Sequence, residues 1–241
     1  MRFCSLLSGG KDSTYALHAA VKEGGEVACV VSVVPRREDS WMFHRPLVEL
    51  TRLQAESMGL ADRHYMLEVS GNKEQEVDEL VAGLRRLKES VGFDTLVIGG
   101  IASRYQLARF GRIASELGVR LYDPQWGADP EEYMRTLLRE GIVYVITQIT
   151  VYGLDPGLLG VPIDRAELVE RIISLARKHG FHPAFEGGEA ETFVVKAPLF
   201  RKPICLEAER VRVAEFDWRL RVRSAVLCDE PRIVVIAAPA R

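Results

Sequence analysis

The chain has 241 residues, 47% of them hydrophobic and 27% charged, with a formal net charge of −2 at pH 7. This is an ordinary globular composition, with enough apolar side chains for one large domain or two small ones. The near balance of charge argues against a broad nucleic-acid or membrane surface, and no stretch approaches the roughly 20 apolar residues of a membrane span.

No apolar leader precedes the first predicted strand, Phe3 to Leu7. That strand ends in Ser8-Gly9-Gly10-Lys11-Asp12-Ser13, after which Thr14 to Val21 reads as a helix. A strand, a glycine-rich loop and a helix N-terminus in that order make an anion site, because backbone N–H groups and the positive end of the helix dipole converge. Gly9 and Gly10 permit a tight turn and close approach. Ser8 and Ser13 add hydroxyl donors, and Lys11 adds a mobile positive charge. The ligand this suits is phosphate or pyrophosphate. A Walker A loop would place four residues between its glycines, ahead of Gly-Lys-Ser/Thr. The dinucleotide fingerprint G-x-G-x-x-G is absent as well.

Beyond Gly24-Gly25, Val27 to Val34 is rich in β-branched residues and too apolar for a surface strand, so a central parallel strand is predicted. Pro35 to Arg45 is a polar loop, and Pro46 opens a helix that ends at Gly59. Tyr65 to Val69 is the third strand. Val77, Leu80, Val81, Leu84, Leu87 and Val91 form one apolar stripe on a helix from Glu76 to Val91. A strand from Asp94 to Gly100, a helix from Ser103 to Leu117 and a strand from Val119 to Tyr122 follow. This alternation predicts a Rossmann-like, doubly wound parallel sheet over residues 1–125. Ligands on such sheets bind outside the carboxyl ends of the strands, which groups the Ser8 loop, Pro35 to Arg45 and Gly99 to Arg104 around one site.

Asp123 to Pro130, with two prolines and a glycine, marks a boundary. A smaller mixed α+β domain is predicted over residues 130–241. Its helices run from Pro130 to Glu140, capped by Asp129, and from an Asp164 cap to Lys178. Its strands are Val143 to Val151, Phe193 to Val195, Ile204 to Leu206, Val211 to Phe216, Leu220 to Val222 and Ile233 to Ala237.

Further stretches carry candidate chemistry. Glu186-Gly187-Gly188-Glu189-Ala190-Glu191-Thr192-Phe193-Val194 crowds three carboxylates around a Gly-Gly turn. In extended chain Glu189 and Glu191 share a face, and they repel unless a cation or a positively charged ligand lies between them. The stretch reads as a substrate or magnesium pocket, against a solvated acidic turn. Gly99 and Gly100 let a nucleotide approach the backbone. Arg109 and Arg112, on the polar face of the next helix, are placed to neutralise phosphate, against a solvated basic face. Met42 and His44 lie in the loop beside the phosphate site, where His44 is a ligand contact, an acid/base group or a solvent-facing residue. His18, His64, His179 and His182 have no evident partners. Cys4, Cys29, Cys205 and Cys228 form no C-x-x-C pair. Cys4 and Cys29, in apolar strand-like runs, read as small buried hydrophobes; neither a zinc site nor a catalytic dithiol is expected, and the setting reads as a reducing cytoplasm.

Ser8 to Ser13 resembles the PP-loop, Ser-Gly-Gly-x-Asp-Ser, of the ATP pyrophosphatase superfamily. Taken with Ser40-x-Met42-x-His44, Gly99 to Gln106, Pro124 to Gly127, Tyr152 to Asp155, Glu186 to Val194 and Pro198 to Phe200, the chain resembles the diphthine–ammonia ligase family. The resemblance implies ATP-dependent amidation of the diphthine side chain of translation elongation factor 2, through an acyl-adenylate and with release of AMP and pyrophosphate. It implies ATP and Mg2+ as cofactors and ammonium as co-substrate. Lys11, Asp12, Glu189 and Glu191 would be catalytic. Ser8, Gly9, Gly10, Lys11, Asp12, Ser13, Val33, Met42, His44, Gly99, Gly100, Ser103, Tyr105 and Arg109 would surround the nucleotide. Glu186, Gly187, Gly188, Glu189, Glu191 and Thr192 would meet the substrate. No direct nucleic-acid binding is expected, the apolar stretch from Ile233 points to a possible homodimer, and the location expected is the cytoplasm. The sequence departs from the family pattern at Phe185, where a glycine is usual, and at Gln125, Gly111 and Lys196. The alternatives are a PP-loop enzyme acting on tRNA and a non-catalytic ATP-binding regulatory protein. Against the first stands the lack of a basic face and of paired catalytic cysteines. The second would carry a different phosphate loop.

Overall fold

A computed structural model describes residues 1–36, 47–72, 74–100 and 104–237. The chain divides into two units, Met1–Gly127 and Ala128–Arg241. In the first unit five parallel strands, β1 (Arg2–Leu6), β2 (Glu26–Pro35), β3 (His64–Val69), β4 (Thr95–Val97) and β5 (Arg120–Tyr122), lie in the order β3-β2-β1-β4-β5. Helices α1 (Lys11–Lys22), α2 (Thr51–Ser57), α3 (Gln75–Val91) and α4 (Arg104–Leu117) connect them. Right-handed crossovers running one way from β1 put α1 and α2 on one face, and those running the other way put α3 and α4 on the opposite face. The packing follows this rule. Val77, Leu80 and Leu84 of α3 and Ile113 and Leu117 of α4 share one core cluster with Leu6, Val31 and Leu96. The apolar stripe read from the sequence is the face of α3 that makes this contact. Strand order reverses between β1 and β4, so the crevice outside their carboxyl ends is the ligand position of a doubly wound sheet.

The second unit has a mixed five-stranded sheet in the order β10-β8-β9-β6-β7, with β6 (Val143–Ile149), β7 (Ala190–Lys196), β8 (Ile204–Arg212), β9 (Trp218–Leu227) and β10 (Ile233–Ala237). All its pairings are antiparallel except that of β10 with β8. Helices α5 (Pro130–Arg139) and α6 (Ala166–His179) belong to the same unit and are tied to each other by Arg135 with Glu170 and Arg177 with Glu131. Asp129 caps α5 as expected, accepting from Glu132 N–H at 2.9 Å. The end of β6, the start of β7 and the turn between β8 and β9 meet at one end of this sheet, because antiparallel neighbours bring those ends together.

Several element bounds differ from the expectation. The helix ending at Gly59 shrinks to α2 behind a short 3₁₀ turn, Val48–Leu50. Asp164 does not cap α6. Arg165 holds the N-cap position, and the Asp164 carboxylate accepts from the Arg165 guanidinium instead. Ile204 to Arg212 is one strand, and residues 213–216, expected to be extended, lie with Asp217 in the hairpin turn, in which Val213 N–H donates to Asp217 O. The cysteines are not free thiols: Cys4 is bonded to Cys29 and Cys205 to Cys228. Each pair is more than twenty residues apart in sequence, but strand pairing sets Cys4 directly beside Cys29 on β1 and β2. Among the described residues no helix is long and apolar enough to cross a membrane.

Two histidines are built into the first unit. His18 Nδ1–H donates to Thr14 O at 2.8 Å. Ser32 Oγ–H donates to Leu7 O at 2.7 Å, so its oxygen accepts from His64 Nε2–H at 2.9 Å. Burial pushes both imidazoles down to about 4, helped at His64 by Arg52 and opposed at His18 by its bond to Thr14. Each is neutral when folded, and the unfolded chain binds protons more readily. Stability is therefore fully present above about 6.5 and is lost as pH falls towards about 4. Urea midpoints measured between neutral pH and about pH 4.5 are expected to fall accordingly, and His64→Gln to make that fall shallower.

Candidate active site

The phosphate loop is held by its own serines. Ser8 N–H donates to Ser13 Oγ at 3.1 Å, the two hydroxyls lie 3.0 Å apart, and Ser13 Oγ–H reaches Gly10 O at 3.3 Å. Gly9 sits at φ +89°, a conformation that side chains disfavour. Gly10 is the N-cap of α1 and offers no side chain to the first turn, whose N–H groups have no partners within a helix. An anion is the natural complement of that end. Lys11, 2% exposed, places its ammonium on the Asp12 carboxylate at 2.8 Å. The buried charge is thus balanced inside the loop, and Asp12 stands beside it as the first-turn acid.

Groups to which the sequence reading assigns no role fix this loop from three sides. Gln54 of α2 donates to Gly9 O at 3.0 Å, and Gln125, after β5, donates to Asp12 O at 3.1 Å. The His64–Ser32 pair ends on Leu7 O, at the residue before the loop. Gln54, Gln125 and His64 sit among other polar residues and carry no local signal; Ser32 alone is a lone polar residue in an apolar stretch. Their partners lie far away in the chain, which periodicity cannot reveal. Gln125, a departure from the family pattern, is 2% exposed, and its Oε1 meets no protein donor.

Gly99 has a different reason for being glycine from the one expected. A Cβ there would lie 2.7 Å from Ser13 N and closer still to the Asp12 carbonyl, so the tail of β4 presses on the first turn of α1. Gly100 is open on that side, and its N–H donates to the Asp123 carboxylate at 3.4 Å. Val33 lies on β2 opposite Leu67, 7% exposed. Arg109 pairs with Glu74, and Arg112 with Asp78 and Glu116. Tyr105 is in the first turn of α4. Met42, His44 and Ser103 lie outside the described residues.

In the second unit the acidic stretch is a loop closing onto the start of β7. Glu189 precedes the strand, and its side chain turns back, so it does not share the face of Glu191. Its carboxylate accepts from His182 N–H at 3.0 Å and Gly187 N–H at 2.8 Å. Thr150 secures the same loop, donating from N–H to Glu189 O at 2.9 Å and from its hydroxyl to Gly188 O at 2.5 Å. Glu186 N–H leans on His182 Nδ1 at 3.4 Å. Phe185 sits at φ +65°, a conformation that favours glycine, and its ring is buried. Glu191 lies on β7 opposite Gln148 of β6, with Thr192 next along the strand. Among the described residues no group of three or more His, Cys, Asp or Glu side chains is gathered as a metal site.

A glycine-rich anion cradle at the switch point of a parallel sheet defines the first unit as a nucleotide-binding α/β domain of PP-loop type. The family model for the diphthamide synthase N-terminal domain matches residues 1–121, and that for the diphthamide synthase C-terminal domain matches residues 129–226. The chain belongs to the diphthamide synthase family. The diphthine–ammonia ligase of Mus musculus is 30% identical over 234 residues, covering 90% of this chain and 87% of that protein. That of Homo sapiens is 28% identical over 237 residues, with 90% and 87% covered, and that of Bos taurus 29% over 230 residues, with 88% and 85% covered.

Two substitutions check this description. Gly99→Ala must displace backbone rather than a flexible side chain, so it is expected to destabilise the first unit by about 1–3 kcal/mol and to weaken ATP binding. Equilibrium denaturation and nucleotide titration read the two effects. Glu189→Ala deprives two backbone donors of their acceptor in a half-exposed loop. It is expected to cost about 1–2 kcal/mol and to speed amide exchange at His182 and Gly187.

Proposed function

We propose that this chain uses ATP to amidate the diphthine side chain of translation elongation factor 2, with ammonium as the nitrogen donor. The observation carrying this reading is the PP-loop cradle at the β1–β4 switch point in a chain matched over both units by diphthamide synthase family models. A carboxylate is a poor electrophile, and transfer of AMP to it creates a good leaving group. Pyrophosphate departs, ammonia attacks the carbonyl, and AMP is released as the C–N bond forms.

In this reading residues 1–125 bind the nucleotide and residues 130–241 the substrate. Ser8, Gly9, Gly10 and Ser13 cradle the pyrophosphate. Lys11, held by Asp12, stabilises charge developing on it, since donors already in place act without reorganisation. Val33, Met42, His44, Gly99, Gly100, Ser103, Tyr105 and Arg109 surround the rest of the nucleotide. Magnesium typically travels with nucleotide phosphates and needs only one or two protein carboxylates, for which Asp12 is the nearest candidate. Glu186, Gly187, Gly188, Glu191 and Thr192 receive the substrate, whose quaternary ammonium suits carboxylates, and Glu189 shapes the loop that presents them. Ammonium comes from solution, the location is the cytoplasm where elongation factors work, and nucleic acid is not bound directly. A homodimer contact is assigned to β10, an edge strand with Val234 and Ile236 exposed.

The test incubates the protein with ATP, ammonium and elongation factor carrying diphthine. AMP and pyrophosphate should appear in step with conversion of the carboxylate to the amide by mass spectrometry. ADP as product, or AMP formed without amide, would overturn the reading.

A further inference from the structure

Tyr152 is 63% exposed and Phe216 44% exposed, although large aromatic side chains are mostly buried. Their rings contact each other at a centroid distance of 5.5 Å and an interplanar angle of 83°. The ring of His179, at the end of α6, stands 5.2 Å from Tyr152 at 89°. Tyr152 is therefore the centre of three rings, with both neighbours nearly perpendicular to it. Gly153 makes the contact possible: at φ +93° it carries the chain over His179 so closely that any Cβ would overlap the imidazole. The three rings come from the segment after β6, the end of α6 and the β8–β9 turn. The first two segments also frame the acidic loop, since Thr150 is bonded to Gly188 and Glu189, and His182, three residues past α6, donates its N–H to Glu189. Glu186 and Glu191 stand at this same end of the sheet.

Perpendicular aromatic faces open to solvent, with carboxylates near them, are the recognition chemistry of a quaternary ammonium. The ring quadrupoles attract a cation that has no N–H to donate, and its methyl groups fill the corner between faces. We propose that Tyr152, Phe216 and His179 form the subsite for the trimethylammonium head of the diphthine side chain. Glu186 and Glu191 supply the opposing charge. The inference rests on the amidation reading and adds to it a determinant of substrate methylation state. The enzyme prefers the fully methylated side chain because a tertiary ammonium keeps an N–H that water solvates better than aromatic rings do.

The experiment compares kcat/KM for elongation factor bearing the trimethylated side chain with that for its dimethylated counterpart. The wild-type preference for the trimethylated form is expected to fall about ten-fold in Tyr152→Leu and Phe216→Leu and to be kept in Tyr152→Phe. An unchanged preference in both leucine variants would overturn the subsite. A parallel titration with tetramethylammonium, followed by its proton NMR linewidth, needs no turnover. Broadening by wild-type protein that disappears in Tyr152→Leu supports the subsite even if no amide forms, a result that would overturn only the amidation reading. Equal broadening by both proteins would overturn the subsite while leaving amidation standing. ATP affinity, measured alongside, shows that the variants are folded.

Discussion

The missing side chain at position 99 lets the tail of β4 rest on the first turn of α1, and the nucleotide half of the molecule is arranged around that contact. Two strands flank the switch point of the sheet, and a helix must start from one of them within reach of the other. Any Cβ at this position would pry the helix from the strand and open the anion cradle. The glycine thus sets the distance between the helix end, whose partial charge attracts phosphate, and the tail of β4. Gln54 and Gln125 then hold the loop through its carbonyls, leaving the first-turn N–H groups, not the C=O groups, facing the ligand side.

The second unit solves a different problem. Three carboxylates in six residues repel one another, and the loop eases this by giving one of them an internal task. Glu189 gathers two backbone N–H groups, which spreads its charge over the loop. Phe185 adds a cost of about 1 kcal/mol by occupying a left-handed conformation. Its buried ring returns about 1.5–3 kcal/mol, so a residue that strains the turn also anchors it.

What could be read from the sequence was what has a period or a local signature. The α3 stripe, the β-branched run of β2 and Ser8 to Ser13 each declare themselves within a short window, and from these the fold class and the phosphate loop follow. What stayed hidden depends on partners far along the chain. The reason for Gly99 is the backbone of Asp12, the role of Gln125 is a carbonyl in α1, and His64 reaches the phosphate loop only through Ser32. Tyr152, Phe216 and His179 are single residues in three separate segments, and nothing local marks them as neighbours. Glu189 was expected on the face of a strand because alternation was carried one residue too far: β7 starts at Ala190.

The Cys4–Cys29 bond lies in the middle of the first sheet, with both residues fully buried. Thiol–disulfide exchange needs an attacking thiolate to reach sulfur, and the closed sheet blocks that access. Reductants in the surroundings have no hold on the bond unless the strands open. The cross-link and the sheet around it therefore protect each other: strand pairing shields the sulfurs, and the bond ties the two strands.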